Sequence, residues 1–463
     1  MAEPSWFPIY GRAPIWVQNV ACSLSGIRMR WERYGRAFRR TLRFLEESQW
    51  WSYQEQRAYQ DEKLADLVRH AYETVPYYRE VFDERKLKPA DIRTADDLPR
   101  LPLLTKEIVR SRADDLRSTT WPKRRTVLDH TAGTTGTALQ YAKSTDVEAW
   151  HWATVWRHRG RFGLGYTDPF VIFAGRSVVP LRSMEPPIWR RNLPMHQTYV
   201  SVHHMTQQNM APLVEYLTRR RVAYYAGYPS GLYLLAKHLL EYGVRLPAPP
   251  RVTVAASETV LPHQRRAIEE GLATELTDHY SASESCGGIS ECERHIYHVD
   301  MEFGILEFLP MEGMPPASRK IVCTSLYNRA MPFLRYDIGD VATLSDHRCS
   351  CGREAPTVER IDGRIEGIIV TPDGRQLGRL DFLFKSADQV KEAQLVQDAP
   401  DHLRVNLVRR DGYRDEDERD LLKSLRVYLG DAIHIDVEYL PEIPREANGK
   451  FRQIVSVVRP SGQ

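Results

Sequence analysis

Between Phe170 and Glu270 the chain alternates short apolar runs with amphipathic stretches, and this alternation restricts it to an α/β architecture. Phe170-Val171-Ile172-Phe173 and Val252-Thr253-Val254-Ala255 read as buried strands. Apolar residues at helical spacing lie near Leu213 to Leu217, from Leu232 to Leu240 with a stop at Gly243, and from His263 to Glu270. Strands separated by helices pair in parallel, because each connection has to cross the sheet. Upstream, Leu64, Leu67, Val68, Ala71 and Val75 predict a helix over Asp61 to Val75 that Pro76 stops.

The C-terminal stretch follows another pattern. Leu403-Arg404-Val405-Asn406-Leu407-Val408 alternates as a half-exposed strand, Asp415 to Leu429 reads as a charged amphipathic helix, and Ala432 to Leu440 as a second alternating strand. That βαβ unit is the size of a separate small domain. The boundary falls near Asp362-Gly363-Arg364. The predicted fold is α/β: a large N-terminal domain of mixed and parallel sheets with helices over residues 1–362, opened by a helical leader over 1–60, and a small α+β domain over 363–463.

Composition excludes several classes. The 463 residues carry 64 Lys+Arg against 61 Asp+Glu, a net charge of +3 that does not describe a nucleic-acid binder. No run approaches the roughly 18 consecutive apolar residues of a membrane span. Met1-Ala2-Glu3-Pro4 opens no secretory signal, so the expected location is the cytoplasm. Six cysteines are too few for a disulfide scaffold, and four fall within two short stretches, which points to metal. Residues Arg28 to Arg43 include seven arginines interleaved with Trp31, Tyr34, Phe38 and Leu42. They fit an interfacial or partner-binding amphipathic helix or, more commonly, a solvated helix face with packed aromatics.

Five motifs carry chemistry. In His130-Thr131-Ala132-Gly133-Thr134-Thr135-Gly136-Thr137 two glycines bracket two threonines, a composition suited to wrapping phosphate oxygens. No Lys-Ser/Thr follows a second glycine, so it is not a Walker A loop. In Tyr280-Ser281-Ala282-Ser283-Glu284 a ring suited to a purine precedes a carboxylate suited to Mg²⁺. Tyr336-Asp337-Ile338-Gly339-Asp340 ends on a carboxylate able to accept both hydroxyls of a ribose. Gly363-Arg364-Ile365-Glu366 sits at the domain boundary. Pro444-Arg445-Glu446-Ala447-Asn448-Gly449-Lys450-Phe451-Arg452 offers Gly449 for close approach and Lys450 as a mobile point charge. Alone, each has an ordinary explanation: a surface turn, a core tyrosine, a turn aspartate, a solvated lysine.

Together and in this order, the motifs closely resemble the adenylate-forming superfamily of acyl- and aryl-CoA synthetases, luciferases and peptide-synthetase adenylation domains. The narrower resemblance is to the phenylacetate–CoA ligase and CapK-like (coenzyme F390 synthetase-like) family. It rests on Tyr77-Tyr78 after Val75-Pro76, Trp189-Arg190-Arg191-Asn192, Gly227-Tyr228-Pro229-Ser230, Ala256-Ser257-Glu258 and Cys349-Ser350-Cys351-Gly352-Arg353. Two positions depart from it. Ser281 stands where the family usually has glycine, and Ala132 where many members have a hydroxyl residue.

The resemblance implies the adenylate-forming enzyme fold, with a mobile C-terminal domain, and a two-step reaction. A small-molecule carboxylic acid, aromatic or otherwise apolar, attacks Mg²⁺-ATP to give an acyl-adenylate and pyrophosphate, and CoA then displaces AMP. It implies that Lys450, Glu284 and Thr131 carry the chemistry, Glu284 by holding Mg²⁺. Gly133, Thr134, Thr135, Gly136 and Ser283 would join the nucleotide site, with Ser257 and Glu258 on the adenine side and Tyr280 over the ring. Asp340 would anchor the ribose, Arg364 would follow the nucleotide's charge, and Glu366 would sit at the pivot. The segments around His151-Trp152, Arg176 to Arg182 and Ala226-Gly227-Tyr228 would approach the acid.

Cys292, His298, Cys349 and Cys351 make a Cys₃His set suited to a closed tetrahedral Zn²⁺, with Cys286 and His295 as local alternatives. The family resemblance includes a comparable cluster, and such a zinc would be structural. The competing explanation is reduced, buried cysteines. Two functional alternatives also stay open. One is the same activation with an amine, hydroxyl or carrier-protein thiol as acceptor, or of a non-carboxylate acid, in a capsule or secondary-metabolite pathway. The other is a non-catalytic nucleotide-binding relative.

Overall fold

The computed structural model describes residues 7–130, 139–176, 178–180, 183, 185–260, 262–311, 316–345, 348–364, 368–372, 376–378, 380, 384, 389–443, 454–456 and 458. Four helices open the chain: α1 (Phe7–Arg12), α2 (Ile15–Arg33), α3 (Arg36–Ser48) and α4 (Tyr53–Thr74). The last begins at Tyr53 rather than Asp61 because Ser52 and Glu55 form a reciprocal capping box. Pro76 ends that helix and also starts the next, α5 (Pro76–Glu84), where its missing N–H costs nothing. After α6 (Lys106–Ser111), the strands β1 (Thr126–His130) and β2 (Gln140–Ser144) pair antiparallel on either side of the Gly/Thr motif.

α7 (Thr145–Gly160) leads into the large sheet. There β3 (Phe170–Ala174), β4 (Trp189–Asn192), β5 (Gln197–Ser201), α8 (Gln207–Thr218), β6 (Tyr224–Gly227), α9 (Pro229–Glu241), β7 (Val252–Ala256), α10 (Pro262–Leu272) and β8 (Glu275–Ser281) alternate as the sequence predicts. β5, β3, β6, β7 and β8 pair in parallel in that order. Parallel strands are covered on both faces, so their side chains divide between two cores with a period of two. Val171, Phe173 and Tyr225 pack with Leu213, Leu235 and Ile268 of α8 to α10. Phe170, Tyr224, Val252 and Val254 pack with Phe38 of α3 and Trp156 of α7.

Beyond β8 the sheet continues antiparallel through β9 (Gly288–Glu291), β10 (Tyr297–Val299), β11 (Gly304–Pro310), β12 (Ser318–Ser325), β13 (Tyr336–Leu344) and β14 (Thr357–Arg364). The 12 strands run β11-β12-β13-β14-β10-β9-β8-β7-β6-β3-β5-β4. A third core joins Leu64, Val68 and Phe82 of α4 and α5 to Ile289, Ile321 and Phe333.

A ribbon of β15 (Ile368–Val370) and β16 (Gln376–Gly378) precedes the C-terminal unit. That unit comprises β17 (Val390–Ala399), β18 (His402–Arg409), α11 (Asp415–Leu429), β19 (His434–Tyr439) and β20 (Ile454–Ser456), with strand order β19-β18-β17-β20. β18, α11 and β19 are the βαβ unit of the sequence reading, the two strands parallel. β18 departs from the half-exposed strand expected, because Asn406 and Val408 are buried as well as Leu403, Val405 and Leu407. It lies between β17 and β19, and Asn406 finds Gln394 of β17 at 3.0 Å. No described helix is long and apolar enough to cross a membrane.

Candidate active site

The C-terminal ends of parallel strands open onto the loops where such sheets place their ligands. β6, β7 and β8 end at Gly227, Ala256 and Ser281, which aligns Gly227-Tyr228, Ser257-Glu258 and the Tyr280–Glu284 motif along one edge. Gly227 has φ 142°, and a Cβ there would lie 2.0 Å from the Phe173 carbonyl oxygen, so only glycine turns this strand into α9. Ser257 holds φ 72° without being glycine, a strained conformation at the mouth of the edge. Glu258 accepts from the Ser230 amide over 3.1 Å, in the first turn of α9 where the helix dipole favours a carboxylate. Tyr428 of α11 faces the same carboxylate, and burial followed by the Glu258 charge raises its hydroxyl pKa.

The Tyr280–Glu284 motif is held from three sides. The Ala282 amide donates to the Gly287 carbonyl over 3.3 Å, closing the loop before β9. The Tyr141 hydroxyl donates to the Ser283 carbonyl over 2.7 Å, which fixes β2 against this loop. The buried Glu284 carboxylate accepts from the Tyr336 hydroxyl over 2.9 Å. Tyr280 in turn donates to Asp340 Oδ2 over 2.8 Å. Burial, with the Asp340 charge, raises the Tyr280 pKa well above its ordinary value, so the hydroxyl remains a donor. Asp340 lies opposite Arg364 in the β13–β14 register. Beside it Gly363, at φ 82°, faces Thr259, whose Oγ1 would lie 3.0 Å from an added Cβ.

Tyr280, Ser283, Glu284 and Asp340 are therefore neighbours, and the loop carrying Ser257 and Glu258 reaches the end of β14. Thr131, Gly133, Thr134, Thr135, Gly136, Glu366 and Lys450 lie outside the described residues, as does the side chain of Arg364. His151 sits under the motif, its Nδ1 3.4 Å from Ser281 Oγ. Burial pushes this imidazole down to about 4, so it is neutral. Ser281 is thus accommodated as the last residue of β8, without the positive φ that would require glycine. Of the segments expected near the acid, Arg176 donates to the Tyr199 hydroxyl over 3.0 Å, and Arg182 lies outside the described residues.

Three residues at this edge escaped the sequence reading as site residues: Tyr141, Tyr336 and Lys143. Lys143 pairs with Asp129 across the β1–β2 hairpin at 2.6 Å and lies 3.8 Å from Glu148 of α7. The available signal was a lysine enclosed by Tyr141-Ala142 and Ser144 directly after the Gly/Thr motif, a position where a solvated charge is out of place.

Cys292, His298, Cys349 and Cys351 converge, their ligand atoms all within 4.8 Å of one another. Cys292 and Cys349 sulfurs are 3.6 Å apart, and Cys351 Sγ lies 3.5 Å from His298 Nε2. His298 Nδ1 faces the Ala355 carbonyl at 3.3 Å, which orients Nε2 towards the sulfurs. The Arg294 amide donates to Cys292 Sγ over 3.3 Å. Of the local alternatives, His295 is engaged by Glu291 and Glu275, and the Cys286 thiol faces Cys323. Three thiols and an oriented imidazole fit a tetrahedral Zn²⁺. Next to the pair, Arg353 Nη1 donates to both carboxylate oxygens of Glu293 over 3.0 Å, its Nε donates to Gln49 over 2.9 Å, and the guanidinium lies over the Trp50 ring at 4.4 Å.

A family model for the CapK C-terminal domain matches residues 369–457. The protein CapK of Staphylococcus aureus is 22% identical over 462 residues, 97% of this chain and 99% of that one. A phenylacetate-coenzyme A ligase of Thermus thermophilus is 28% identical over 347 residues, 68% of this chain and 71% of that one. Among solved structures, 2-hydroxyisobutyryl-CoA ligase in complex with 2-HIB-AMP and CoA superposes with a TM-score of 0.57 at 17% identity, covering 87% of this chain and 90% of that one. The chain is similar to CapK along nearly its whole length and shares the fold of 2-hydroxyisobutyryl-CoA ligase. The matched C-terminal segment takes in β15 to β20, the ribbon and the four-stranded sheet together.

Proposed function

We propose that the protein is an AMP-forming ligase that activates a small carboxylic acid with ATP and passes the acyl group to CoA. The observation that carries this reading is the junction of Tyr280, Glu284 and Asp340 at the C-terminal edge of the parallel strands, closed by the 2.8 Å bond between Tyr280 and Asp340. Similarity to a phenylacetate-coenzyme A ligase and a fold shared with a ligase bound to an acyl-adenylate and CoA support it. In the first step the acid's carboxylate oxygen attacks the α-phosphorus, and the bond to the departing pyrophosphate breaks. In the second the thiol attacks the acyl carbonyl, and AMP leaves with the bonding pair.

Asp340 would take the ribose hydroxyls and Tyr280 would orient Asp340 while presenting its ring to the adenine. Ser257, Glu258 and Ser283 would complete the nucleotide edge, with Arg364 following the ribose and phosphate charge. Thr131, Gly133, Thr134, Thr135 and Gly136 would receive the phosphates, which Tyr141 helps to align by fixing β2 against the Glu284 loop. Glu284 fits a Mg²⁺ site as a buried carboxylate beside the phosphates, where the ion, when bound, neutralises charge. Two anions meeting need cationic relief, and Lys450 would supply it to the developing charge of the first step.

The Cys₃His cluster would hold a structural Zn²⁺, tying the β9–β10 hairpin to the connection between β13 and β14. Free thiols in that arrangement suit the reducing cytoplasm.

The deciding experiment is pyrophosphate release from Mg²⁺-ATP over a panel of aryl and aliphatic acids, each with and without CoA. Acid-dependent release with thioester detected by mass is the expected result. Acid-dependent release without thioester moves the acceptor to an amine, hydroxyl or carrier thiol. No release across the panel, with ATP bound, rejects the ligase reading.

A further inference from the structure

α2 is built inside out. At about 100° per residue, Trp16, Val20, Leu24, Ile27 and Trp31 fall within one arc of about 80°. They are 69%, 49%, 62%, 55% and 83% exposed. The arc that faces the large domain is mostly polar or small, although Met29 and Cys22 on it also pack against apolar neighbours. Gln18 accepts from Arg190 Nε over 2.6 Å, Asn19 from the Arg191 amide over 2.8 Å, and Ser23 from the Leu193 amide over 3.2 Å. Arg30 donates to the Pro194 carbonyl over 2.9 Å. Gly26 lies so close to Asn192 that an added Cβ would be 1.8 Å from its Oδ1. A helix that only covers its own domain turns its apolar stripe inward. A contiguous apolar face turned outward marks an interaction site.

Charge selects the partner. Between Phe7 and Leu45 the chain has eight arginines and one glutamate. On the next helix Arg36, Arg39, Arg40 and Arg43 line a cleft of about 670 Å³ with Tyr166. A second copy pairing through the same face would bring two such cationic segments together, which like charge opposes. A stripe that begins and ends with tryptophan, is too polar on its other face to span, and is flanked by arginines matches a helix lying in the plane of an anionic lipid surface.

We propose that α2 docks the protein on an anionic membrane surface, its five exposed apolar residues entering the acyl boundary and the exposed arginines Arg28, Arg36, Arg39, Arg40 and Arg43 meeting lipid phosphates. The Arg-rich segment is then both things its sequence allows. Tyr34 and Phe38 pack inward and Arg30 and Arg33 hold the large domain, while the preceding stripe and the exposed arginines face the lipid.

The test is co-sedimentation of the full chain with phosphatidylcholine vesicles containing none or about 30% phosphatidylglycerol, in low and high salt. The expected result is binding to the anionic vesicles, about tenfold weaker on neutral ones, and weakened by salt. Trp16→Ala with Trp31→Ala should lower partitioning about tenfold, with circular dichroism and Tm unchanged. Should that variant unfold, Arg39→Glu with Arg40→Glu, both on exposed side chains, should abolish the preference for anionic vesicles in a folded protein. Failure of the wild type to sediment with anionic vesicles overturns the proposal. So does wild-type partitioning by both folded variants, or a dimer that Leu24→Glu dissociates in a protein that ignores vesicles.

Discussion

Tyr280 and Asp340 meet through a single hydrogen bond of 2.8 Å that joins the end of β8 to β13. Tyr280→Phe keeps the ring and removes the bond, worth about 1 kcal/mol. The expected outcome in steady-state pyrophosphate release is a KM for ATP raised roughly three- to tenfold with kcat little changed. Asp340→Asn should raise it further, because the proposed ribose acceptor itself loses its charge.

Glu284 and Tyr336 separate charge from support. Glu284→Gln retains an acceptor for the Tyr336 hydroxyl and loses the anion, so it should lower kcat by about a hundredfold or more and shift the Mg²⁺ requirement upward. Tyr336→Phe leaves the anion but removes one of its donors. It should lower stability by about 1–2 kcal/mol, measured by denaturant unfolding, with a smaller loss of activity.

Lys450 is assigned to the first half-reaction alone. Lys450→Ala should abolish acid-dependent pyrophosphate release while sparing thioester formation from pre-formed acyl-adenylate and CoA. Equal loss in both half-reactions would remove that assignment.

The Cys₃His cluster predicts about one zinc per chain by elemental analysis. Cys349→Ser should release it and lower Tm by several degrees, since a structural zinc contributes folding free energy directly. Purified active protein without zinc would leave the cluster as reduced thiols.

The buried His158 and His279 and the half-buried His151 set the acid limit. Burial pushes His151 down to about 4 and His158 and His279 well below the usual 6.5, with facing histidines and arginines adding to the shift of the last two. Folded-state values below the unfolded one mean that their contribution is complete above about pH 6.5 and is lost as pH falls through the folded values. A Tm series should therefore fall steeply between about pH 6.5 and 4, and less steeply for His158→Gln, which can keep the 2.9 Å bond to Thr277.

The parallel half of the large sheet was legible because its strands are apolar on both faces, so runs such as Phe170 to Phe173 stand out against the helices between them. β17 was not. It carries Gln394 and Gln397 in buried positions, and those polar groups are satisfied by Asn406 and by the Val370 amide, partners that sequence does not place beside them. The site divides in the same way. Tyr280, Glu284 and Asp340 belong to local motifs whose residue types announce their chemistry. Tyr141 and Tyr336 act through hydroxyl bonds to Ser283 and Glu284, partners far away in the chain that no local pattern places beside them.

The polar bed under α2 carries a further consequence for how this chain is assembled. Gln18, Asn19, Ser23 and Gly26 meet Arg190, Arg191, Leu193 and Asn192 largely through hydrogen bonds and close backbone approach. The surface beneath is therefore one that water can wet. A helix seated this way is an attachment rather than a wall of the core, and it can be exchanged for another without re-engineering what lies below. Where the protein resides and what it catalyses are then separately adjustable properties of one polypeptide.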